Sequence, residues 1–282
     1  MLNDLNLSHI AASHLDNRLE DGVLTITMNR PKKLNGWTME MMAAFKEVFS
    51  IVNSDDAVKA VIFTGKGKYY SAGVNLGGSL KLMPPKQLHQ LIVKNNQALF
   101  ETFLHCKKPL LIAVNGPALG ASVTSATLAN GIIASESATF STPFAALGIT
   151  PEGCSSFHFP RLIGDQNALR MLGSEGWKPN AEEALNIGLV QKVVPENQLM
   201  FEAESIAKKW VTDKEQRQFL AGSKLDELKA VNAKESKQLA DSFLGADFLK
   251  EQSRFFWRKK KYAPSAMFFS LCVLRPIWSR FL

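Results

Sequence analysis

The chain has 282 residues, 46% of them hydrophobic and 21% charged, a composition that fits a globular domain and excludes a disordered or fibrous chain. No run of roughly 18 uninterrupted apolar residues suggests a membrane span, and three widely spaced cysteines (Cys106, Cys154, Cys272) with no CxxC pair speak against a disulfide framework or a zinc site. The net charge of +7 sits at one end: residues 250–282 carry eight Lys or Arg against Glu251 alone, so the body is balanced and is not a nucleic-acid-binding surface by charge.

The start, MLNDLNLSHIAASH, lacks arginine and a basic stretch followed by an apolar run, so we expect neither a secretory signal nor a mitochondrial transit peptide there. GVLTITMNRP (22–31) alternates apolar and polar residues and predicts a strand ending at proline. TMEMMAAFKEVFSIVN (38–53) has apolar residues at helical spacing behind Thr38, a good N-cap. KAVIFTGKG (59–67) reads as a buried strand running into a glycine turn, and PKQLHQLIVKNNQALFETFLH (85–105) as a long amphipathic helix. KPLLIAVNGPALGAS (108–122) gives a strand, a turn and a helix start; GIIAS and ATFST give two short strands. Helical patterns follow at 155–173 and 180–188, GLVQKVVP predicts a strand, and helices fill most of 196–261. Alternating strands and helices followed by helices alone predict an α/β core with a helical C-terminal subdomain.

Two turns share one logic. YYSAGVNL (69–76) and NGPALGAS (115–122) each follow a strand and place small residues where the chain turns, which lets a ligand approach the backbone. A helix start leaves N–H groups unpaired, so each turn could hold an oxyanion, or could simply be a tight connection. Neither fits the P-loop or Rossmann pattern.

ALGITPEGCSS (146–156) carries one acid, Glu152, in an uncharged run. It has two readings. With Thr150 as N-cap and Pro151 in the first position, Glu152 would face the positive end of a helix dipole. Alternatively, a carboxylate in an apolar pocket is a proton-transfer base.

NRPKKLN, YYSAGVNL, AVNGPALGAS and ATFSTPFAALGITPEGCSSFHFPRLIG, in that order and spacing, resemble the crotonase (enoyl-CoA hydratase/isomerase) superfamily over residues 18–212. The TPF…LG…PEGCSS…FP pattern is similar to its Δ3,Δ2-enoyl-CoA isomerase branch, the peroxisomal type in particular. The resemblance implies a ββα spiral core and trimers, or hexamers built from two, packed through helices. It divides the chain into an N-terminal extension (1–17), the core (18–195), a helical trimerisation subdomain (196–261) and a basic-aromatic tail (262–282). It implies an acyl-CoA substrate of unsaturated fatty acid β-oxidation and no cofactor beyond the CoA the substrate carries: no metal, flavin or nicotinamide.

Residue by residue, the resemblance implies oxyanion donors at the N–H groups of Val74, after Gly73, and Ala121, after Gly120. Ser71, Ala72, Gly73 and Asn75 would line the thioester, and Lys32, Lys33 and Leu34 the nucleotide end of CoA. The family often has aspartate where Asn75 stands. The two glutamates of the family's hydratases are replaced by Thr124 and Phe144, neither of which transfers protons near neutral pH, so hydration is disfavoured. Glu152 matches the isomerase base. Asn96 could hold a water near the acyl chain, although the pattern of its helix also suits a surface asparagine.

The resemblance suggests a peroxisome, with cytoplasm or mitochondrion as alternatives; Arg280-Phe281-Leu282 does not fit the Ser-Lys-Leu tripeptide. The tail APSAMFFSLCVLRPIWSRFL is interrupted by Arg275 and Pro276, too short to span a bilayer, and combines bases with aromatics, which suits either a surface extension or weak contact with a membrane surface. Alternative functions are a dienoyl-CoA isomerase, another crotonase enzyme, or a non-catalytic module that binds acyl-CoA or a partner.

Overall fold

Asp21 and Gly22, both at positive φ (51° and 80°), make the two-residue turn that a DG pair favours between strands. They join β1 (Leu15–Glu20) to β2 (Val23–Met28) as an antiparallel hairpin. The structure is a computed structural model that describes residues 5–75 and 83–282. Strands β3 (Ala60–Gly65), β4 (Leu110–Val114), β6 (Gly131–Ser135) and β8 (Lys192–Val194) extend the sheet in parallel, in the order β1-β2-β3-β4-β6-β8.

A second ladder of short pieces runs beside this sheet. Strands β5 (Ala118–Leu119) and β7 (Phe140–Ser141) pair in parallel. Single bridges continue the ladder at Trp37–Val74, Ser71–Ala118 and Thr139–Asn180. Each turn of the spiral therefore sends one long strand to the sheet and one short piece to the ladder.

The helices are α1 (His9–Ala12), α2 (Met39–Ser54), α3 (Pro85–Leu104), α4 (Ala121–Ala126), α5 (Phe144–Leu147), α6 (Ser155–Ile163), α7 (Asp165–Leu172), α8 (Ala181–Asn186), α9 (Leu199–Asp213), α10 (Leu225–Phe243), α11 (Ala246–Arg258), α12 (Tyr262–Val273) and α13 (Arg275–Trp278). Helix α2 starts as expected, with the Thr38 hydroxyl accepting from the Met41 N–H. Its buried Met41, Ala44, Phe45, Val48, Phe49 and Val52 repeat at helical spacing and form one face. The pattern at 155–173 breaks at Gly164 into α6 and α7.

Parallel strands covered on both faces are mostly apolar, as in β3, where every residue is buried and the polar Thr64 donates its hydroxyl to the Ala113 carbonyl. Val61 and Phe63 face the main core with Phe45 and Phe49 of α2 and Phe103 of α3. Ala60 and Ile62 face Leu199, Ala203 and Ala207 of α9. On the main-core side α10 packs along α3. Residues 262–282 fold back as α12 and α13, with Phe268 against Phe248 and Leu249 of α11. No helix among the described residues is long and apolar enough to cross a membrane.

Candidate active site

Both glycine turns, Asn96 of α3 and Glu152 line one cavity of about 320 Å³. Gly73, Val74, Gly120 and Ala121 form one side of it; Leu91, Leu99, Phe144, Leu147 and Ile149 make most of the rest apolar. Sequence segments far apart in the chain thus contribute the residues expected to carry the chemistry.

The short ladder builds the two turns. Leu119 N–H donates to the Ser71 carbonyl (3.0 Å), and Trp37 N–H to the Gly73 carbonyl (2.8 Å). Ser122 Oγ donates to the carbonyls of Leu119 (2.9 Å) and Ser71 (3.3 Å). Gly73 is required by this approach: it has φ 72°, and a methyl group there would lie 2.4 Å from the Leu119 oxygen. The same methyl would lie 3.8 Å from the Ala121 nitrogen, so the turns are close neighbours. Val74 N–H and Ala121 N–H have no acceptor among the described residues. Ala121 is the first residue of α4, where a free N–H is built into helix geometry. Two such donors on residues that line one cavity can hold a developing oxyanion.

Glu152 does not sit in a helix first turn. Helix α6 begins at Ser155, with Cys154 rather than Thr150 before it. The Thr150 hydroxyl is buried with no partner among the described residues, so it caps nothing. The reason lies in Gly153 and Cys154, both in the left-handed region at φ 68° and 67°. They fold the chain sharply just after Glu152. A methyl at Gly153 would collide with the Phe100 ring at 2.4 Å and with Thr124 Oγ1 at 2.6 Å, so the turn needs glycine for space as well as for φ.

Placed this way, Glu152 is 8% exposed and its carboxylate points at Asn96, whose Nδ2 donates to Oε2 at 2.5 Å. Ser236 Oγ of α10 donates to Asn96 Oδ1 (2.9 Å), which leaves the amide NH2 facing Glu152. Burial pushes the Glu152 carboxyl up to about 7; the Asn96 hydrogen bond pulls down against this and the Glu235 charge adds to the rise. Asn96 is therefore not a surface residue, and its amide serves the carboxylate directly.

Glu235 was not legible as a site residue. It is 1% exposed on α10 and accepts from Cys154 N–H (2.6 Å), Ser156 N–H (2.9 Å) and Ser156 Oγ (2.5 Å). Its carboxylate ties down the turn that carries Glu152. Burial also raises the Glu235 carboxyl to about 7, against the pull of these hydrogen bonds. Its spacing in α10 marks it only as buried: Asn232, Glu235 and Ser236 fall on the same stripe as Leu228, Leu239 and Ala240. Asn35, which ends the NRPKKLN motif, was missed as well. Its buried amide donates to the carbonyls of Lys66, Tyr69 and Tyr70 and so fixes the approach to the first turn.

Of the other expected residues, Ala72 and Phe144 line the cavity and the rest do not. Ser71 is buried, its Oγ accepting from Gly73 N–H (3.0 Å) and donating to the Asn35 carbonyl (2.8 Å). Asn75 is exposed beside the first turn, and Leu76 of that motif lies outside the described residues. Lys32 and Lys33 are exposed; Leu34 is joined to the turn through its carbonyl, which accepts from Ala72 N–H (2.9 Å). Ala72 and Phe144 line the cavity, and Thr124 is fully buried with its hydroxyl on the Ala121 carbonyl. His158, between Ser223 and the Thr127 carbonyl, is a packed histidine. Among the described residues no group of His, Cys, Asp and Glu could hold a metal ion.

The model of the enoyl-CoA hydratase/isomerase family matches residues 18–259. The chain belongs to this family. Among curated relatives of this crotonase family, Enoyl-CoA delta isomerase 2 of Homo sapiens is 36% identical over 86% of this chain, and the match spans 63% of the human protein's length. The peroxisomal Enoyl-CoA delta isomerase 3 of Mus musculus is 32% identical over 86% of this chain and 78% of its own. The fold is the crotonase fold: an enoyl-CoA hydratase/isomerase from Pseudoalteromonas atlantica superposes with a TM-score of 0.75 at 28% identity, over 87% of this chain and 97% of that one.

Proposed function

We propose that this family member is a Δ3,Δ2-enoyl-CoA isomerase of unsaturated fatty acid β-oxidation. One observation carries the reading. Among the described residues that line the cavity, Glu152 is the one carboxylate, and it shares the cavity with two unpaired N–H groups. Shifting a double bond from C3 to C2 needs one base that also returns the proton, whereas hydration needs a base for water and an acid for C2. Thr124 and Phe144 supply neither.

The substrate thioester carbonyl takes the Val74 and Ala121 N–H groups. Glu152 removes a proton from C2, the electrons move into the carbonyl, and the enolate oxygen gains both donors at full strength. Such a donor is worth about 3 kcal/mol in the transition state of other enzymes. Protonated Glu152 then delivers the same proton to C4 as the double bond forms between C2 and C3. Its raised pKa matches both halves: the carboxylate is a stronger base than an exposed one and still gives up the proton readily. Asn96 holds the carboxylate toward the acyl chain, and the apolar lining keeps water from competing.

The human and mouse relatives named delta isomerases support this reading, and the mouse name extends it to a peroxisomal location. The test is a substrate panel: trans-3-hexenoyl-CoA, a 2-enoyl-CoA and a dienoyl-CoA. The reading expects 2-trans-enoyl-CoA from the first and little change in the others. Brisk 3-hydroxyacyl-CoA formation, or turnover of the dienoyl-CoA alone, would overturn it.

A further inference from the structure

A second cavity adjoins the catalytic one. Leu88 of α3 and Phe243 at the end of α10 line the catalytic cavity, and both also line the second, of about 270 Å³. Ile149, in the loop before Glu152, lines the first cavity and packs against the cluster that borders the second. The far side of the second cavity comes from the tail: Met267, Phe268 and Leu271 of α12 and Trp278 of α13. Every described residue lining it is apolar, and the Trp278 indole N–H is taken up by the Leu271 carbonyl (2.8 Å).

The tail is fixed in place as a wall. Ser253 and Ser265 exchange hydrogen bonds between α11 and α12, at 3.0 and 2.8 Å. Arg275 Nε donates to the Leu244 carbonyl (2.8 Å), closing the end of α10 onto the tail. Phe268 stacks on Phe256 with ring centroids 5.6 Å apart. Residues 260–282 lie beyond the stretch that the family model matches.

Resting on the isomerase reading of the site, we propose that the tail completes an acyl channel, and that Met267, Phe268, Leu271 and Trp278 select long-chain enoyl-CoA thioesters. An apolar chamber loses dispersion contacts unless an apolar guest fills it. The catalytic cavity alone is near the lower end, about 300 Å³, of ligand-sized pockets. Carbons beyond C4 must leave the Glu152 region, and the shared boundary at Leu88 and Phe243 leads them into this chamber.

The test compares kcat/KM for trans-3-hexenoyl-CoA and trans-3-hexadecenoyl-CoA in wild type, Leu271→Trp and Met267→Trp. Dissociation constants of hexanoyl-CoA and hexadecanoyl-CoA, measured alongside, read the channel without any turnover. Filling the chamber removes burial for several methylenes, so the long-to-short ratio falls by about tenfold or more in both measurements. Thermal unfolding of each variant shows that it is folded; Met267→Trp is the safer one, since Met267 is 39% exposed. A ratio equal to wild type in both variants overturns the channel, as does a wild type that binds both acyl-CoAs equally. If wild type binds hexadecanoyl-CoA far more tightly but turns over neither enoyl-CoA, the isomerase reading fails and the channel stands.

Discussion

Asn96 and Glu152, 56 positions apart in sequence, meet side chain to side chain inside the cavity, with the amide donating to the carboxylate. On the proposed reading of the site, the pair sets the strength of the base. A donor to the ionised form stabilises it, which is why this bond opposes the effect of burial.

Replacing Asn96 with alanine removes that donor. The Glu152 pKa then rises above about 7, and the acid limb of the kcat profile moves to higher pH. A hydrogen bond to a charged group is worth about 1.5–3 kcal/mol, so activity at pH 6 falls by roughly tenfold to a hundredfold, with a smaller loss at pH 9. A pH–rate profile from pH 5 to 9 checks this; an unshifted acid limb would contradict it.

Glu235→Gln acts on the same limb with the opposite sign. The Glu235 charge raises the Glu152 pKa, so removing it lets the Glu152 pKa fall and moves the limb to lower pH. The amide cannot accept from Cys154 and Ser156 as the carboxylate does. The turn loosens at a cost of about 2 kcal/mol in stability, and kcat drops more than acyl-CoA affinity. A merely structural role would lower stability and leave the pH profile in place.

Burial of Glu152 also predicts how stability depends on pH. Its folded pKa, about 7, is raised above the ordinary carboxylate value. Stability from this group is fully present below about pH 4.3 and is lost as pH rises through 7. Glu152→Gln carries no charge to bury. Its melting temperature therefore gains on wild type as pH goes from 5 to 8, measured by differential scanning calorimetry. A difference constant across that range would refute the assigned shift.

Much of this was readable before any coordinates. The motifs alone left Val74, Ala121 and Glu152 with a plain structural reading each; the family resemblance singled them out, and the fold brings all three to one cavity. Helix α2 followed from Thr38 and its apolar spacing. What the sequence hid depends on tertiary contact. Asn96 looks like any polar residue of an amphipathic helix until α10 packs over it. Glu235 is a buried charge whose partners are N–H groups of a distant turn, which no local pattern encodes. Of the two readings of Glu152, the one that caps a helix at Thr150 fails because Gly153 and Cys154 take left-handed conformations; α6 begins at Ser155, where the helical pattern placed it.

Trp257 of α11 and Phe269, Ile277 and Phe281 of the tail are each more than half exposed, in a stretch of sequence that also carries Arg258 and Lys259–Lys261. An apolar surface of this kind marks an interaction face. We expect copies of the chain to cover it in a trimer, or in a hexamer of two trimers. Light scattering at micromolar concentration should give a mass at least three times that of the chain. A monomer that binds anionic vesicles at low salt would contradict this and assign the face to a membrane surface.

The central claim is that Glu152 moves the proton between C2 and C4 while the two turns hold the enolate. Turnover of trans-3-hexenoyl-CoA by wild type and Glu152→Gln tests it most directly, with binding of a saturated acyl-CoA measured on both. The account predicts that the variant binds the acyl-CoA with nearly wild-type affinity and loses most of its turnover, about a hundredfold or more for a lost general base. A Glu152→Gln enzyme as active as wild type would contradict the claim.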